Sequence, residues 1–141
     1  VFDSNYRRIL WKSKVLARSE IKKYWKIADV ALPSVDDEKE LFDLETDEDV
    51  VNNLVKLGVK FGALKRGDQG PYSLCGNKES NTYNIVSKVE DTTAAGDSFN
   101  GAYLASLING FSHKNSLISG HKLASKVIKY NGAIIPFDTL E

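Results

Sequence analysis

The chain has 141 residues, 42% hydrophobic and 27% charged, which is the composition of a globular protein with a core of its own. Its 19 basic and 19 acidic residues cancel and no long block of one sign occurs, so nothing marks nucleic acid or a membrane surface as the main partner. Cys75 is the only cysteine, which excludes an internal disulfide and a cysteine-built metal centre; with no secretory pattern visible, the expectation is a reducing cytoplasm. No apolar run reaches bilayer-spanning length.

Val1 and Phe2 read as the end of a buried strand that runs into polar Asp3, Ser4 and Asn5. The first residue is not Met, and no Met occurs anywhere, so the expectation is the C-terminal part of a longer protein. Residues 11–28 carry Trp11, Val15, Leu16, Ile21, Tyr24, Trp25 and Ala28 at steps mostly of three and four, the spacing of a helix. Val30, Ala31 and Leu32, stopped by Pro33, predict a short buried strand. A helix over 34–42 follows, with Asp36, Asp37 and Glu38 in the favourable first turn. Another spans 47–57 and is closed by Gly58. Residues 59–65 predict a strand, residues 67–70 a turn, and residues 72–75 the second arm of a hairpin. Residues 83–89 read as extended. A helix over 96–108 is ended by Asn109 and Gly110. Ser112 caps a last helix reaching about Tyr130, with Leu117, Ile118, Ala124, Val127 and Ile128 on its apolar side. Asn131 and Gly132 stop it before an apolar tail that ends at Pro136. Strands alternating with helices predict an α/β fold with a mostly parallel sheet covered on both faces, plus one hairpin. No repeat, linker or low-complexity stretch divides the chain, so one domain is expected.

The most informative stretch is Asp91-Thr92-Thr93-Ala94-Ala95-Gly96-Asp97-Ser98-Phe99. Small residues lead into Gly96 where a helix begins, so several backbone N–H groups and the positive helix end converge as an anion site. Asp97 stands at the edge of that site as a carboxylate. It would repel the anion, and its fitting task is to take a proton from a hydroxyl attacking it. An anion cradle beside a base is the equipment of phosphoryl transfer to an alcohol. Lys65, Arg66, Gly67 and Gly70 form either a phosphate-binding corner or a solvated hairpin corner. Arg7 lies just past a strand end, where open α/β sheets place ligands, or is a surface residue opening a helix. Asp36, Asp37 and Glu38 either hold Mg²⁺ through water or simply cap a helix, and capping is the commoner use. His113 and His121 have no partner at metal-ligand spacing and read as surface or core residues.

The 91–99 stretch resembles the second signature of the PfkB (ribokinase-like) carbohydrate kinases. Phe2-Asp3-Ser4-Asn5-Tyr6-Arg7 with Leu10-Trp11, the Asp36-Asp37-Glu38 turn, Lys65-Arg66-Gly67 and Gly132-Ala133-Ile134-Ile135-Pro136 extend the likeness over essentially the whole chain. Within the family it is closest to the 2-keto-3-deoxygluconate kinases. The resemblance implies a three-layer α/β/α fold and MgATP-dependent phosphorylation of a sugar acid at its terminal hydroxyl. It implies Asp97 as catalytic base in contact with substrate and the backbone of Ala94, Ala95 and Gly96 as the anion hole. It further implies Asn5, Arg7, Lys65, Arg66, Gly67 and Gly70 as nucleotide contacts, Arg7 also facing the sugar acid. Where the family often carries Asn-x-x-Glu near the metal, this chain has Ser34 and Asp37, a carboxylate one carbon shorter and an indirect metal contact. Family members are about twice this length, and their N-terminal half supplies the Gly-Gly sugar motif, most sugar contacts and a β-lid. The chain is thus expected to be the nucleotide-binding, base-bearing part of a kinase that forms homo-oligomers when complete, and to be inactive alone. A fructokinase or ribokinase type, or a non-catalytic nucleotide-binding fragment, are the alternatives.

Overall fold

Phe2 N–H donates to Val30 O and Leu32 N–H to Phe2 O, both at 2.9 Å; Ala31 N–H donates to Phe61 O and Ala63 N–H to Ala31 O, also at 2.9 Å. These are parallel rungs that pair Phe2 with Ala31, Ala31 with Gly62 and Ser34 with Lys65. Ala63–Leu64 (β1) then pairs antiparallel with Tyr72–Ser73 (β2), Ala63 opposite Ser73 and Leu64 opposite Tyr72. The computed structural model describes residues 1–76 and 82–140. They group as two compact units, one of Val1–Gly67 with residues 71–76, the other of Asp68–Gly70 with residues 82–140.

In the first unit Gly62 is what allows the central rung. Its φ is +139°, and a Cβ there would sit 1.8 Å from Ala31 O, so any side chain would push the two segments apart. The predicted strand over 59–65 is correspondingly short at its start. Helix α3 (Asp47–Lys56) ends with Gly58 in the left-handed region, Gly58 N–H on Val55 O at 3.0 Å and Val59 N–H on Leu54 O at 3.0 Å. That closure consumes the Val59 donor which a strand would need.

Helix α1 (Lys14–Trp25) is shorter than the predicted 11–28 because Ser13 is extended and its side chain caps Leu16 N–H at 3.1 Å. Its buried face is Ala17, Ile21 and Trp25, whereas Val15, Leu16 and Tyr24 are exposed. Helix α2 (Val35–Phe42) starts where predicted, but Ser34 makes no side-chain cap. It ends at Asp43 in the left-handed region, whose carboxylate binds Lys14 and Arg18. Thr46 and Asp49 form a reciprocal capping box on α3. The core of this unit joins Ile21 and Trp25 of α1, Leu41 of α2, Val50 and Leu54 of α3, and Ala31, Leu64 and Leu74 of the paired segments.

The second unit is built on α4 (Ala95–Ile108) and α5 (His113–Val127). The Phe99 ring fills the place that a Cβ on Gly120 would occupy, so the two helices approach closely at Phe99, at the start of the second turn of α4. Buried Tyr103 meets His113 Nδ1 at 3.0 Å, and buried Ser116 donates to Ser106 Oγ at 3.1 Å. Helix α5 stops at Val127 rather than near Tyr130, and Ile118 faces solvent. Residues 83–89 form no strand. Their Asn84 carbonyl lies 3.1 Å from His121 Nε2, and Tyr83 packs on the His121 ring at 4.8 Å, so side chains of α5 replace a ladder partner. No described helix is long and apolar enough to cross a membrane.

Candidate active site

The ends of the parallel segments in the first unit bring Asp3 to Arg7, Ser34 to Glu38, and Lys65 together. This is the crevice beyond the strand carboxyl ends where α/β sheets place ligands. Asn5 turns the chain there with φ +37°, a conformation Asn tolerates better than most residues, and its N–H donates to Asp3 Oδ1 at 3.0 Å. Lys65 Nζ donates to Asp3 Oδ2 at 2.5 Å, with both side chains mostly buried. Arg7 is exposed; its Nη1 donates to Tyr6 O at 3.0 Å and stands 3.6 Å from Asp37 Oδ1. Burial raises the Asp37 carboxyl above its ordinary value, the Arg7 and Lys65 cations pulling it down and Asp3 pushing it up.

Arg66 belongs to a different set. Its guanidinium lies 3.7 Å from Asp47 Oδ2 and 5.5 Å over the Tyr72 ring, while Lys39 donates to the other Asp47 oxygen at 2.7 Å. Gly67 has φ +56° and open space around it, at the start of a short 3₁₀ turn, Gly67–Gln69. Gly70 is buried with φ +74°, and the Tyr83 ring occupies the place of its missing Cβ, so close packing alone explains that glycine.

Glu38, expected either to hold Mg²⁺ through water or to cap a helix, is instead turned into the core. It is fully buried, and Ser4 Oγ donates to its Oε1 at 2.8 Å. Burial pushes its carboxyl up to about 7, against the Ser4 hydroxyl and the nearby Trp25 indole, and with the help of Asp37 and Asp3. Neither Glu38 Oε2 nor Trp25 Nε1 completes a hydrogen bond. The available signal was the position of Glu38 on α2, three residues from Val35 and three from Leu41, on the face that turns inward.

Asp97 lies in the first turn of α4, exposed, in the second unit. Ser13, Thr46 and Ser112 cap α1, α3 and α5 through their side chains; α4 has Ala94 in that place and no side-chain cap. Ala95 N–H turns inward to Thr92 O at 3.1 Å, while the first intrahelical bond is Ser98 N–H to Ala94 O at 2.9 Å. The first turn of α4 is thereby left without a side-chain acceptor at its positive end. Asp91, passed over in the sequence, shapes the loop: Oδ1 accepts Thr93 N–H at 2.8 Å and Oδ2 accepts Gly132 N–H at 2.9 Å. These bonds, the Thr93 contacts first, hold its carboxyl below the usual carboxylate range. An Asp two residues before a small polar residue is the sequence signal for such a turn.

Ala94 sits at φ +61°, where an L residue with a Cβ is strained by about 1 kcal/mol or more. Ala94→Gly is expected to stabilise the protein by about 1 kcal/mol, read as a rise of several degrees in Tm. An unchanged or lowered Tm would show that the loop does not carry this strain.

The family model for the pfkB family carbohydrate kinases matches residues 1–140. The chain belongs to the pfkB family. It is 39% identical over 144 residues to the 2-dehydro-3-deoxygluconokinase of Escherichia coli, covering 99% of this chain and 47% of that protein. With the 2-dehydro-3-deoxygluconokinase of Dickeya dadantii it shares 39% over 145 residues, 99% of this chain and 46% of that one. The chain thus spans about half the length of the curated relatives it matches. The crystal structure of a putative ribokinase II from E. coli in complex with ATP and Mg²⁺ superimposes with a TM-score of 0.78 at 25% identity, over 94% of this chain and 42% of that one. The fold is that of part of a ribokinase-like pfkB kinase, an α/β arrangement with parallel rungs and a small antiparallel hairpin.

Among the described residues of this pfkB chain, no group of three or more His, Cys, Asp or Glu side chains is placed to hold a metal ion directly. Asp37, 3.6 Å from Arg7, is a single carboxylate and fits Mg²⁺ only as a contact through water.

Proposed function

We propose that the protein of which this chain forms part is a sugar-acid kinase that transfers the γ-phosphoryl of ATP to the terminal hydroxyl of 2-keto-3-deoxygluconate, in the cytoplasm and as a homo-oligomer. The observation that carries this is the loop before α4, which leaves the positive helix end uncapped and sets Asp97 in its first turn. The 39% identity to 2-dehydro-3-deoxygluconokinases, the same substrate under its other name, supports the choice of sugar. In this reading the chain is the nucleotide-binding, base-bearing part, and further chain supplies the sugar-binding part and lid.

Asp97 accepts the hydroxyl proton as the oxygen attacks the γ-phosphorus. The bond from that phosphorus to the bridging oxygen of ADP breaks, and ADP leaves with the electron pair. The backbone of Ala94, Ala95 and Gly96, with the α4 dipole, stabilises charge on the transferred group. Lys65, Asn5, Arg66, Gly67 and Gly70 contribute contacts to the nucleotide, as does Arg7, which also meets the carboxylate of the sugar acid. Asp3 and Asp37 hold Lys65 and Arg7 as counter-ions until a more highly charged anion takes their place. Mg²⁺ bound with ATP would neutralise phosphate charge, and Asp37 would be the side chain of this chain to meet it through water.

The test is a substrate panel with the whole protein: 2-keto-3-deoxygluconate, fructose, ribose and fructose 6-phosphate, each with MgATP. The sugar acid is expected to give a kcat/KM at least tenfold above the others. Faster turnover of a neutral sugar would overturn the assignment.

A further inference from the structure

Among the described residues Glu38 is the only Asp, Glu, Lys or Arg that is buried, and a buried carboxyl is a costly group to keep. Its single hydrogen bond reaches across 34 residues, from Ser4 Oγ to Oε1 at 2.8 Å. Ser4 immediately precedes Asn5, whose left-handed φ of +37° is not self-sustaining. Two residues further on, Arg7 stands 3.6 Å from Asp37, the neighbour of Glu38. The Arg7–Asp37 pair is long, and its Arg7 side is exposed to solvent, so it cannot by itself hold the backbone. The Ser4–Glu38 bond is short and partly buried, with its acceptor fully buried, and it joins the same two segments.

We infer that Glu38 is a positioning residue: by holding Ser4 it locks the Asn5–Arg7 backbone against α2 and so sets where the Arg7 guanidinium meets its anionic ligand. This rests on the reading of Arg7 as the contact to the sugar-acid carboxylate. Arg7 recognises a planar carboxylate through directed N–H donors, so a displacement of its backbone weakens that contact before it disturbs the reacting atoms.

The experiment compares Ser4→Ala, Glu38→Met and Glu38→Gln in the whole protein. Gln keeps an oxygen acceptor for Ser4, and Met keeps the side chain's length without it. Ser4→Ala and Glu38→Met are each expected to raise KM for 2-keto-3-deoxygluconate about fivefold with kcat within twofold, the loss of about one hydrogen bond. Glu38→Gln is expected to keep the wild-type KM, and the double variant Ser4→Ala/Glu38→Met to be no worse than either single one. Amide hydrogen exchange at residues 5–7 of the free protein gives a readout that needs no substrate. It is expected to speed up about fivefold in Ser4→Ala and Glu38→Met and not in Glu38→Gln. If the wild type does not phosphorylate the sugar acid, the substrate reading fails and the exchange rates decide the positioning role alone. Unchanged exchange in Ser4→Ala, or equal damage from Gln and Met at position 38, overturns the inference.

Discussion

Asp97→Asn in the whole protein is expected to lower kcat with 2-keto-3-deoxygluconate by about 10³-fold, within the range for removal of a general base. The substitution keeps size and hydrogen-bonding reach and removes only the capacity to take a proton. Asp97 is exposed at the first turn of α4, with its side chain outside the core, so the fold is little affected. The lost favourable charge at the helix N-terminus costs about 0.5 kcal/mol. ATP binding is expected to persist, because the first turn of α4 and Lys65 remain and one carboxylate near the phosphates is gone. Nucleotide affinity by calorimetry and single-turnover phosphorylation separate the two effects. A kcat within tenfold of wild type would remove Asp97 as the base, and a lost ATP affinity with normal single-turnover rate would make it a binding residue instead.

The loop that carries this prediction was legible because its chemistry is local. Small residues, Gly96 and Asp97 are contiguous, and the α4 boundary follows from backbone sterics alone. Most helices were legible for the same reason: Ser112 and Gly58 are local start and stop signals. The buried faces were less so. Val15, Leu16 and Tyr24 satisfy helical spacing yet face outward, because Trp25, Ile21 and Ala17 form the tighter inward stripe. Strand lengths also escaped, since Val59 N–H closes a helix and the Asn84 carbonyl meets the His121 side chain of α5, choices made by tertiary contact. Of the candidate residues, Arg7, Asp37 and Lys65 were singled out by type and place, and the structure brings them to the ends of the same paired segments. Their counter-ions, and the separation of Arg66 toward Asp47, depend on side chains that are distant in sequence. Glu38 was hidden because the same three acids read equally well as a solvated first turn. Only burial distinguishes it.

That burial has a thermodynamic consequence with a definite sign. The Glu38 carboxyl titrates at about 7 in the folded protein against 4.5 ordinarily, with desolvation the main cause. Between those values the folded state holds a proton that the unfolded chain has lost, so stability falls as pH rises. The contribution is fully present below pH 4.5 and lost as pH passes about 7, and the interval corresponds to about 3 kcal/mol. Asp37, raised by burial, works in the same direction; Asp43, Asp49 and Asp91, all lowered by their hydrogen bonds, add stability that is lost only in more acid solution. Comparison of wild type with Glu38→Gln isolates the one group. Gln keeps an acceptor for Ser4 and carries no charge, so the variant is expected to be about 3 kcal/mol more stable than wild type at pH 8. At pH 5 the two are expected to lie within about 1 kcal/mol, where the wild-type carboxyl is already neutral. Urea unfolding at the two pH values, without nucleotide or Mg²⁺, reads the difference directly. The same gain at both would mean that packing rather than ionisation sets the cost of Glu38, and no gain at pH 8 would mean that its charge is accommodated within the fold.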